Sequence, residues 1–146
     1  MIYLLLAVFL IQTTTAQVTV TNLRCEMLVN PLGIEAKQPR LSWQINSNHR
    51  NVVQTSYQLI VSSTPGNLLL NKGDVWNSGT VKSSQSIQVQ YTGPALKPAT
   101  HYYWKVLVTT NKGSATTLQS AFFSTGLTAD NWKAKCEVLI AENHKL

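Results

Sequence analysis

The sequence is poor in charge: Asp, Glu, Lys and Arg make up 12% of its 146 residues, against about 25% in an average soluble domain. It has only six acidic residues and two cysteines. This composition excludes a charged disordered chain, a coiled coil and a disulfide-dense miniprotein. Polarity comes instead from 12 Ser, 16 Thr, 11 Asn and 10 Gln, and 44% of the residues are hydrophobic. Such a balance is typical of β-strands with one buried face.

Motifs that carry catalytic chemistry are also missing from the sequence. The glycines are isolated, and neither a Gly-x-Ser-x-Gly elbow nor a Gly-Lys-Ser/Thr phosphate loop occurs. The three histidines lack the spacing of metal ligands. Glu26 and Glu35 flank a turn at Asn30-Pro31, and no two carboxyls are placed to face each other across a cleft, as glycoside hydrolysis requires. We therefore expect no catalytic residue, cofactor or metal in this chain.

The positive charge is scattered along the chain. Twelve Lys and Arg against six Asp and Glu give a net charge of +6. Only Lys133 and Lys135 lie close together in the sequence, and no run of three cations occurs. Nucleic-acid binding needs a continuous basic stripe, so we expect no nucleic-acid partner.

The N-terminus carries an apolar run at residues 2–11, followed by small and polar residues. Ten residues are too few to span a bilayer core, which takes about 20. The run matches the apolar region of a signal peptide, with Thr14 and Ala16 before a cut at Ala16/Gln17, although no Lys or Arg precedes it. We expect residues 1–16 to be a signal peptide that exports the chain to the periplasm or the extracellular space.

The two cysteines are Cys25 and Cys136, which are 111 positions apart. Export would permit a disulfide between them, tying the first strand to the tail. Two buried thiols are the alternative, because cysteine often behaves as a small apolar residue.

Alternation of apolar and polar residues predicts an all-β fold. Trp43 lies on the apolar face of one such strand, together with Leu41 and Ile45. Turn residues separate the alternating segments at the spacing of an antiparallel sandwich. Residues 67–71 are the one ambiguous stretch and suit a single helical turn. The sequence predicts seven short strands, at residues 18–29, 41–45, 57–61, 75–81, 86–91, 102–108 and 119–124, and a turn at Asn77-Ser78 interrupts the fourth.

The segment that leads into the strand at 102–108 has a distinctive pattern. Leu96, Pro98, Thr100 and Tyr102 form a Leu-x-Pro-x-Thr-x-Tyr run, similar to the start of the sixth strand of fibronectin type III domains. We expect the Tyr102 hydroxyl to bond back to upstream backbone, as at the tyrosine corner of such sandwiches. One antiparallel seven-stranded sandwich would then occupy residues 17–128, with residues 129–146 as a tail.

Four aromatic residues are candidates for stacking on a sugar ring: Trp76, Tyr91, Tyr103 and Trp132. Trp and Tyr also serve commonly as half-buried packing residues or as anchors at domain contacts. Trp132 lies where the chain leaves the predicted domain, which suits a contact with a following domain.

Five segments together resemble the opening of bacterial α-L-rhamnosidases. They begin with Leu-Arg-Cys-Glu-Met-Leu-Val-Asn-Pro-Leu-Gly-Ile and continue with Gln-Pro-Arg-Leu-Ser-Trp. The resemblance covers about residues 22–135 and implies an N-terminal β-sandwich module like fibronectin type III or immunoglobulin domains. The segments are residues 23–34, 38–43, 50–58, 73–79 and 102–106.

The resemblance also implies what this chain would lack. In that family further β-domains and an (α/α)6 barrel follow, and acidic residues of the barrel remove terminal rhamnose with inversion. No position here matches the acidic motif, so no catalytic residue carries over. Cys136 stands where the family usually continues into its next domain, and residues 137–146 match nothing in the pattern. We expect a truncated chain that lacks the catalytic barrel.

Three hypotheses about function follow from these features. The first is a non-catalytic module of an exported rhamnosidase, which packs against neighbouring domains and shapes access to rhamnose-containing polysaccharide. The second is a free-standing carbohydrate-binding module. The third is a fibronectin-like protein–protein interaction domain.

Overall fold

Two antiparallel sheets form a sandwich in the computed structural model, which describes residues 18–117 and 120–127. This confirms the predicted fold class. The first sheet has the order β1-β2-β5; the second has the order β4-β3-β6, and β6 then pairs with both β7 and β8. The elements are β1 (Val18–Cys25), β2 (Arg40–Ser47), β3 (Gln54–Ser62), α1 (Pro65–Leu69), β4 (Trp76–Asn77), β5 (Val89–Gln90), β6 (His101–Thr110), β7 (Gly113–Thr116) and β8 (Ala121–Ser124). The predicted signal peptide at 1–16 and the tail at 129–146 lie outside the described residues.

Alternating side chains of the long strands fill the space between the sheets. Leu41 and Trp43 of β2 are buried in one cluster with Leu59, Val61 and Trp104 of the second sheet. The predicted position of Trp43 on the apolar face of its strand is thus confirmed, and its ring packs edge-on to Tyr57 at a centroid distance of 5.2 Å. Burying side chains of this size contributes about 1.5–3 kcal/mol each.

The predicted tyrosine corner is present at the start of β6. The backbone N–H of Lys97 donates a hydrogen bond of 2.8 Å to the hydroxyl oxygen of Tyr102. Tyr102 is buried, and its neighbour His101 is exposed, since the two point to opposite faces of the strand.

The described residues contain eight strands instead of the seven predicted, because β7 (Gly113–Thr116) lies before the last predicted strand, at 119–124, in a stretch for which no strand was predicted. Leu107 of β6 faces Thr116 of β7, whereas Trp104 faces Ala121 of β8. Three steps along β6 therefore correspond to five along its partner. The extra length interrupts the ladder, and β7 and β8 form one edge strand with a break.

Two strands are shorter than predicted, because residues with positive φ end them. β1 stops at Cys25 instead of residue 29, since Glu26 and Met27 have φ of 50° and 65°. β5 contains only Val89 and Gln90, since Gln88 has φ of 55° and donates its N–H to the side chain of Ser42. Alternation of residue types does not reveal such positions when they are not glycines.

The two sides of the predicted turn at Asn77-Ser78 do not pair with each other, because both pair with β3. Trp76 and Asn77 of β4 pair with the end of β3, and Val81 forms a separate bridge to Tyr57. The ambiguous stretch at 67–71 overlaps the one-turn helix α1, which Thr64 caps by accepting a hydrogen bond from the N–H of Asn67. Within residues 18–117 and 120–127, no helix is long and apolar enough to cross a lipid bilayer.

Candidate functional site

Tyr91 and Trp76 form a packed aromatic pair and not an open sugar platform. The ring of Tyr91 is 1% exposed and lies edge-on to Trp76 at a centroid distance of 4.8 Å. Its hydroxyl donates to the carbonyl of Pro94 at 2.8 Å, and burial raises the pKa of Tyr91 to about 12. The sugar-stacking role considered for Tyr91 is wrong, because no sugar can reach the ring.

Trp76 and Tyr103 point to opposite faces of the second sheet. Trp76 is paired with Val61, and Tyr103 is paired with the next residue, Ser62. Successive residues of a strand project to opposite faces, and paired residues share a face. Trp76 therefore faces the core with Val61, whereas Tyr103 is half-buried on the outer face beside Phe122. The two cannot flank a single sugar, and Trp132, the fourth candidate, lies outside the described residues.

The carboxylates of Glu26 and Asp74 both accept hydrogen bonds from neighbouring residues of the fold. Arg40 donates its backbone N–H and a guanidinium N–H to Glu26, each at 2.7 Å. These bonds lower the pKa of Glu26. Asp74 accepts from the backbone N–H and the hydroxyl of Ser63, which lowers its pKa as well. Neither carboxyl is poised as a general acid, which needs a raised pKa.

In the part of the chain that the structure describes, no group of three or more His, Cys, Asp and Glu side chains lies close enough together to hold a metal ion. Cys25 is buried, and burial, with a smaller contribution from the charge of Glu26, raises its pKa to about 12. The choice between a Cys25–Cys136 disulfide and two buried thiols stays untested, since Cys136 lies outside the described residues.

A surface that sequence reasoning missed lies in the loop after β1. We call the segment from Met27 to Leu32 the apolar loop. Four of its six side chains are apolar and exposed: Met27 by 50%, Leu28 by 58%, Val29 by 60% and Leu32 by 70%. Three consecutive apolar residues do not alternate, and this could have shown that the strand ends before them.

The backbone of the apolar loop is held by short hydrogen bonds at its start. Cys25 and Leu28 exchange two backbone hydrogen bonds of 2.9 Å. The guanidinium of Arg24 donates to the carbonyl of Met27, also at 2.9 Å. These bonds fix a turn in which Glu26, Met27 and Asn30 all have positive φ.

The far end of the apolar loop is fastened to β8 and to the segment by which the chain leaves the sandwich. The side-chain oxygen of Asn30 accepts from the N–H of Phe122 at 3.0 Å, and the carbonyl of Pro31 accepts from the N–H of Ser124 at 3.0 Å. Ile34 accepts from the N–H of Gly126 at 2.9 Å. The loop therefore lies beside β8, and Ile34, just after the loop, lies beside the chain exit at 125–127.

Comparison with known proteins points to one family. Residues 20–129 match the family model described as Rha78A-like, N-terminal immunoglobulin domain. The chain is 41% identical over 118 residues to an α-L-rhamnosidase of Streptomyces avermitilis, covering 80% of this chain and 11% of that protein. It is 40% identical over 110 residues to an α-L-rhamnosidase of Formosa agariphila, covering 72% of this chain and 12% of the relative.

Solved structures show the same likeness in three dimensions. The α-L-rhamnosidase from Dictyoglumus thermophilum superposes with a TM-score of 0.76 at 39% identity, over 80% of this chain and 13% of that one. The S. avermitilis enzyme in complex with L-rhamnose superposes with a TM-score of 0.76 at 38% identity, over 82% of this chain and 12% of that one. The chain thus spans about a tenth of the length of its curated relatives. It matches their N-terminal immunoglobulin domain and not their catalytic region.

Proposed function

Because the chain belongs to the family of Rha78A-like N-terminal immunoglobulin domains, we propose that it is the non-catalytic N-terminal module of an α-L-rhamnosidase, the parent enzyme. Its role is to pack against and position the neighbouring domains. The observation that carries this proposal is the extent of the matches, which cover most of this chain but only 11–12% of two rhamnosidases.

The chemistry of the module supports a structural role. Glu26 and Asp74 are engaged by Arg40 and Ser63, and the Tyr91 hydroxyl by Pro94. A catalytic or sugar-binding site instead needs several polar groups that converge on one open pocket. Packing against another domain needs only a complementary exposed surface, which the apolar loop offers.

A deletion and a graft in a relative test the proposal. The S. avermitilis α-L-rhamnosidase is prepared intact, without its N-terminal immunoglobulin domain, and with residues 18–129 of this chain in place of that domain. We expect the deletion to lower the unfolding temperature and the half-life of the enzyme, and the graft to restore most of both. A deleted enzyme that is as stable and as active as the intact one would overturn the proposal.

Export of the parent enzyme is part of the proposal. The apolar run at 2–11 and the small residues Thr14 and Ala16 support it. Expression of the whole chain in a bacterial host, followed by fractionation and mass spectrometry, tests it. We expect an exported product that begins at Gln17, and a cytoplasmic product that retains residue 2 would contradict export.

A carbohydrate-binding module is the second candidate, and the half-buried rings of Tyr103 and Phe122 on the outer face favour it. Exposed aromatic rings stack on the apolar faces of sugars, and the sugar here would come from a rhamnose-containing polysaccharide. Titration of the isolated chain with rhamnose-containing sugars separates this candidate from the first.

A further inference from the structure

A groove of about 390 Å³ lies where the chain leaves the sandwich, and we call it the exit groove. Two of its lining residues, Ile34 and Leu96, also pack against the hydrophobic core. An apolar side chain placed in the groove would therefore extend the core, which is favourable in proportion to the apolar area that it removes from water. The apolar lining consists of Ile34, Ala36, Leu96, Pro98 and Leu127.

The last residues of the sandwich line the exit groove themselves and are held on both sides. Gly126 donates its N–H to the carbonyl of Ile34 at 2.9 Å, and its own carbonyl accepts from the N–H of Ala99 at 3.1 Å. Leu127 follows directly, lines the groove and is 51% exposed. The position of the chain exit is thus fixed by the fold, and the residues after Leu127 begin at the edge of the groove.

The segment that begins there carries one large aromatic side chain within reach. Trp132 is five residues beyond Leu127 and is the only Trp, Tyr or Phe after Phe123. Five residues span at most about 18 Å, and an indole buries about 150–250 Å² when it packs. The family match extends to residue 129, so the matched domain includes residues beyond Leu127.

The rim of the exit groove and the segment each carry charges of both signs. Glu35 and Lys37 line the groove and are exposed, and neither forms an ion pair within residues 18–117 and 120–127. In the segment, Asp130 and Lys133 lie on either side of Trp132. Exposed ion pairs contribute little to stability, but they favour one orientation of a docked segment over others.

We propose that residues 128–135 fold back onto the module and that the indole of Trp132 occupies the exit groove, in contact with Ile34, Leu96 and Leu127. The covalent link at Leu127 gives the segment a high effective concentration at the groove, so a modest apolar contact is sufficient to hold it. In a longer chain this contact would set the direction in which the chain leaves the module. The inference rests on the groove and the chain exit, and it does not depend on which enzyme contains the module.

Nuclear Overhauser measurements on the 146-residue chain test the contact directly. We expect cross-peaks between the indole protons of Trp132 and the methyl protons of Ile34, Leu96 and Leu127. We expect none to Val53, whose N–H is bonded to Asn111 beyond the opposite end of β6. If Trp132 shows cross-peaks to none of the three groove residues, the proposal is overturned.

Two other occupants of the groove would be recognised by the same measurement. If the methyl protons of Leu139 contact Ile34 and Leu96 in place of the indole, a later segment fills the groove, and the assignment to Trp132 is overturned. In a mixture of isotope-labelled and unlabelled chains, the expected cross-peaks lie within one chain. If they instead join two chains, a second copy occupies the groove, and the proposal of a segment that folds back is overturned.

Thermal unfolding of paired variants provides a second readout. Leu127→Asp places a charge beside the docked indole, so it should lower the unfolding temperature of the chain by about 3–6 °C. In the Trp132→Ala background the same substitution should have little further effect, because the contact is already lost. If Leu127→Asp lowers the unfolding temperature equally in both backgrounds, the two side chains do not interact, and the proposal is overturned.

Val53→Asp is the matched control for this pair. Val53 is 52% exposed, almost the same as Leu127, and it lies at the opposite end of the sandwich. Its substitution should change the unfolding temperature by the same small amount with Trp132 or Ala at position 132. A coupling between positions 53 and 132 as large as that between 127 and 132 would show a general loss of stability and contradict a specific contact.

Discussion

The indole N–H of Trp43 donates a hydrogen bond of 3.0 Å to the side-chain oxygen of Gln54, and this contact joins the two sheets inside the sandwich. The amide of Gln54 in turn donates to the carbonyls of Ser83 and Gln85, at 2.9 and 2.8 Å. One buried glutamine therefore fastens a core tryptophan of β2, the start of β3 and the loop before β5. Buried polar groups require such partners, because leaving one without a hydrogen bond costs about 1–3 kcal/mol.

Gln54→Leu should destabilise the chain by about 2–3 kcal/mol, because it leaves the Trp43 N–H and two backbone carbonyls without their partner. Urea unfolding followed by tryptophan fluorescence measures the loss. Gln90→Leu is the control, since Gln90 is exposed and its amide bonds only to the side chain of Gln38; it should change the free energy of unfolding by less than about 0.5 kcal/mol. If the two substitutions lower the free energy of unfolding equally, the buried hydrogen bonds of Gln54 do not contribute to stability.

Tyr102→Phe should cost about 0.5–1.5 kcal/mol, because it removes the acceptor for the Lys97 N–H while keeping the buried ring. Tyr103→Phe, next along β6 on the outer face, should have a smaller effect. Thermal unfolding of both variants measures the difference. If Tyr102→Phe is no less stable than Tyr103→Phe, the tyrosine corner contributes nothing.

Two Gly→Ala substitutions should act in opposite directions. A Cβ at Gly93 would stand 2.5 Å from Cγ of Trp76 and 2.5 Å from the hydroxyl of Tyr91, so Gly93→Ala should disrupt the aromatic pair and cost about 1–3 kcal/mol. A Cβ at Gly66 in α1 meets nothing within 4 Å, so Gly66→Ala should stabilise the chain by about 0.4–1 kcal/mol. Differential scanning calorimetry measures both, and a destabilising Gly66→Ala would contradict this view of α1.

The Glu26–Arg40 pair should make stability depend on acid. Hydrogen bonding to Arg40 lowers the pKa of Glu26 in the folded chain, so its contribution is present above the unfolded pKa of about 4.3 and is lost as the pH falls through the folded pKa. The Arg40 side chain is mostly exposed to solvent, so solvent screening keeps this contribution small.

Urea unfolding of the native chain and of Glu26→Gln between pH 3 and pH 7 tests this expectation. The native chain should be more stable at neutral pH, and the difference should disappear in acid. Arg40→Gln should remove the same dependence, and the double variant should add nothing further. If the stability difference between the native chain and Glu26→Gln grows as the pH falls, the expectation is contradicted.

Much of the fold follows from strand patterning alone. Alternation placed Leu41 and Trp43 on one apolar face of a strand, and both are buried in the structure. The Leu-x-Pro-x-Thr-x-Tyr run predicted the tyrosine corner at Tyr102, and the structure shows the hydrogen bond to Lys97. At these positions the local sequence pattern was sufficient to predict the structure.

Tertiary contacts determined the rest. The turn at Glu26 and Met27, where φ is positive, is held by hydrogen bonds from Arg24 and from the distant Arg40, which a local pattern does not show. For Tyr91 the signal was available: Val89 and Tyr91 alternate with Gln90, which places both inside. Met27, Leu28 and Val29 of the apolar loop were assigned to the first strand because they are apolar, and only the structure shows that they are exposed.

A titration of the 146-residue chain with L-rhamnose and with a rhamnose-containing oligosaccharide tests most directly whether this is a structural module. Amide chemical shifts are recorded up to about 10 mM sugar, a concentration at which a site with a Kd of about 1 mM would be largely filled. We expect no saturable shifts. Saturable shifts clustered at Tyr103 and Phe122, and lost in Tyr103→Ala, would contradict a purely structural role and identify a carbohydrate-binding module.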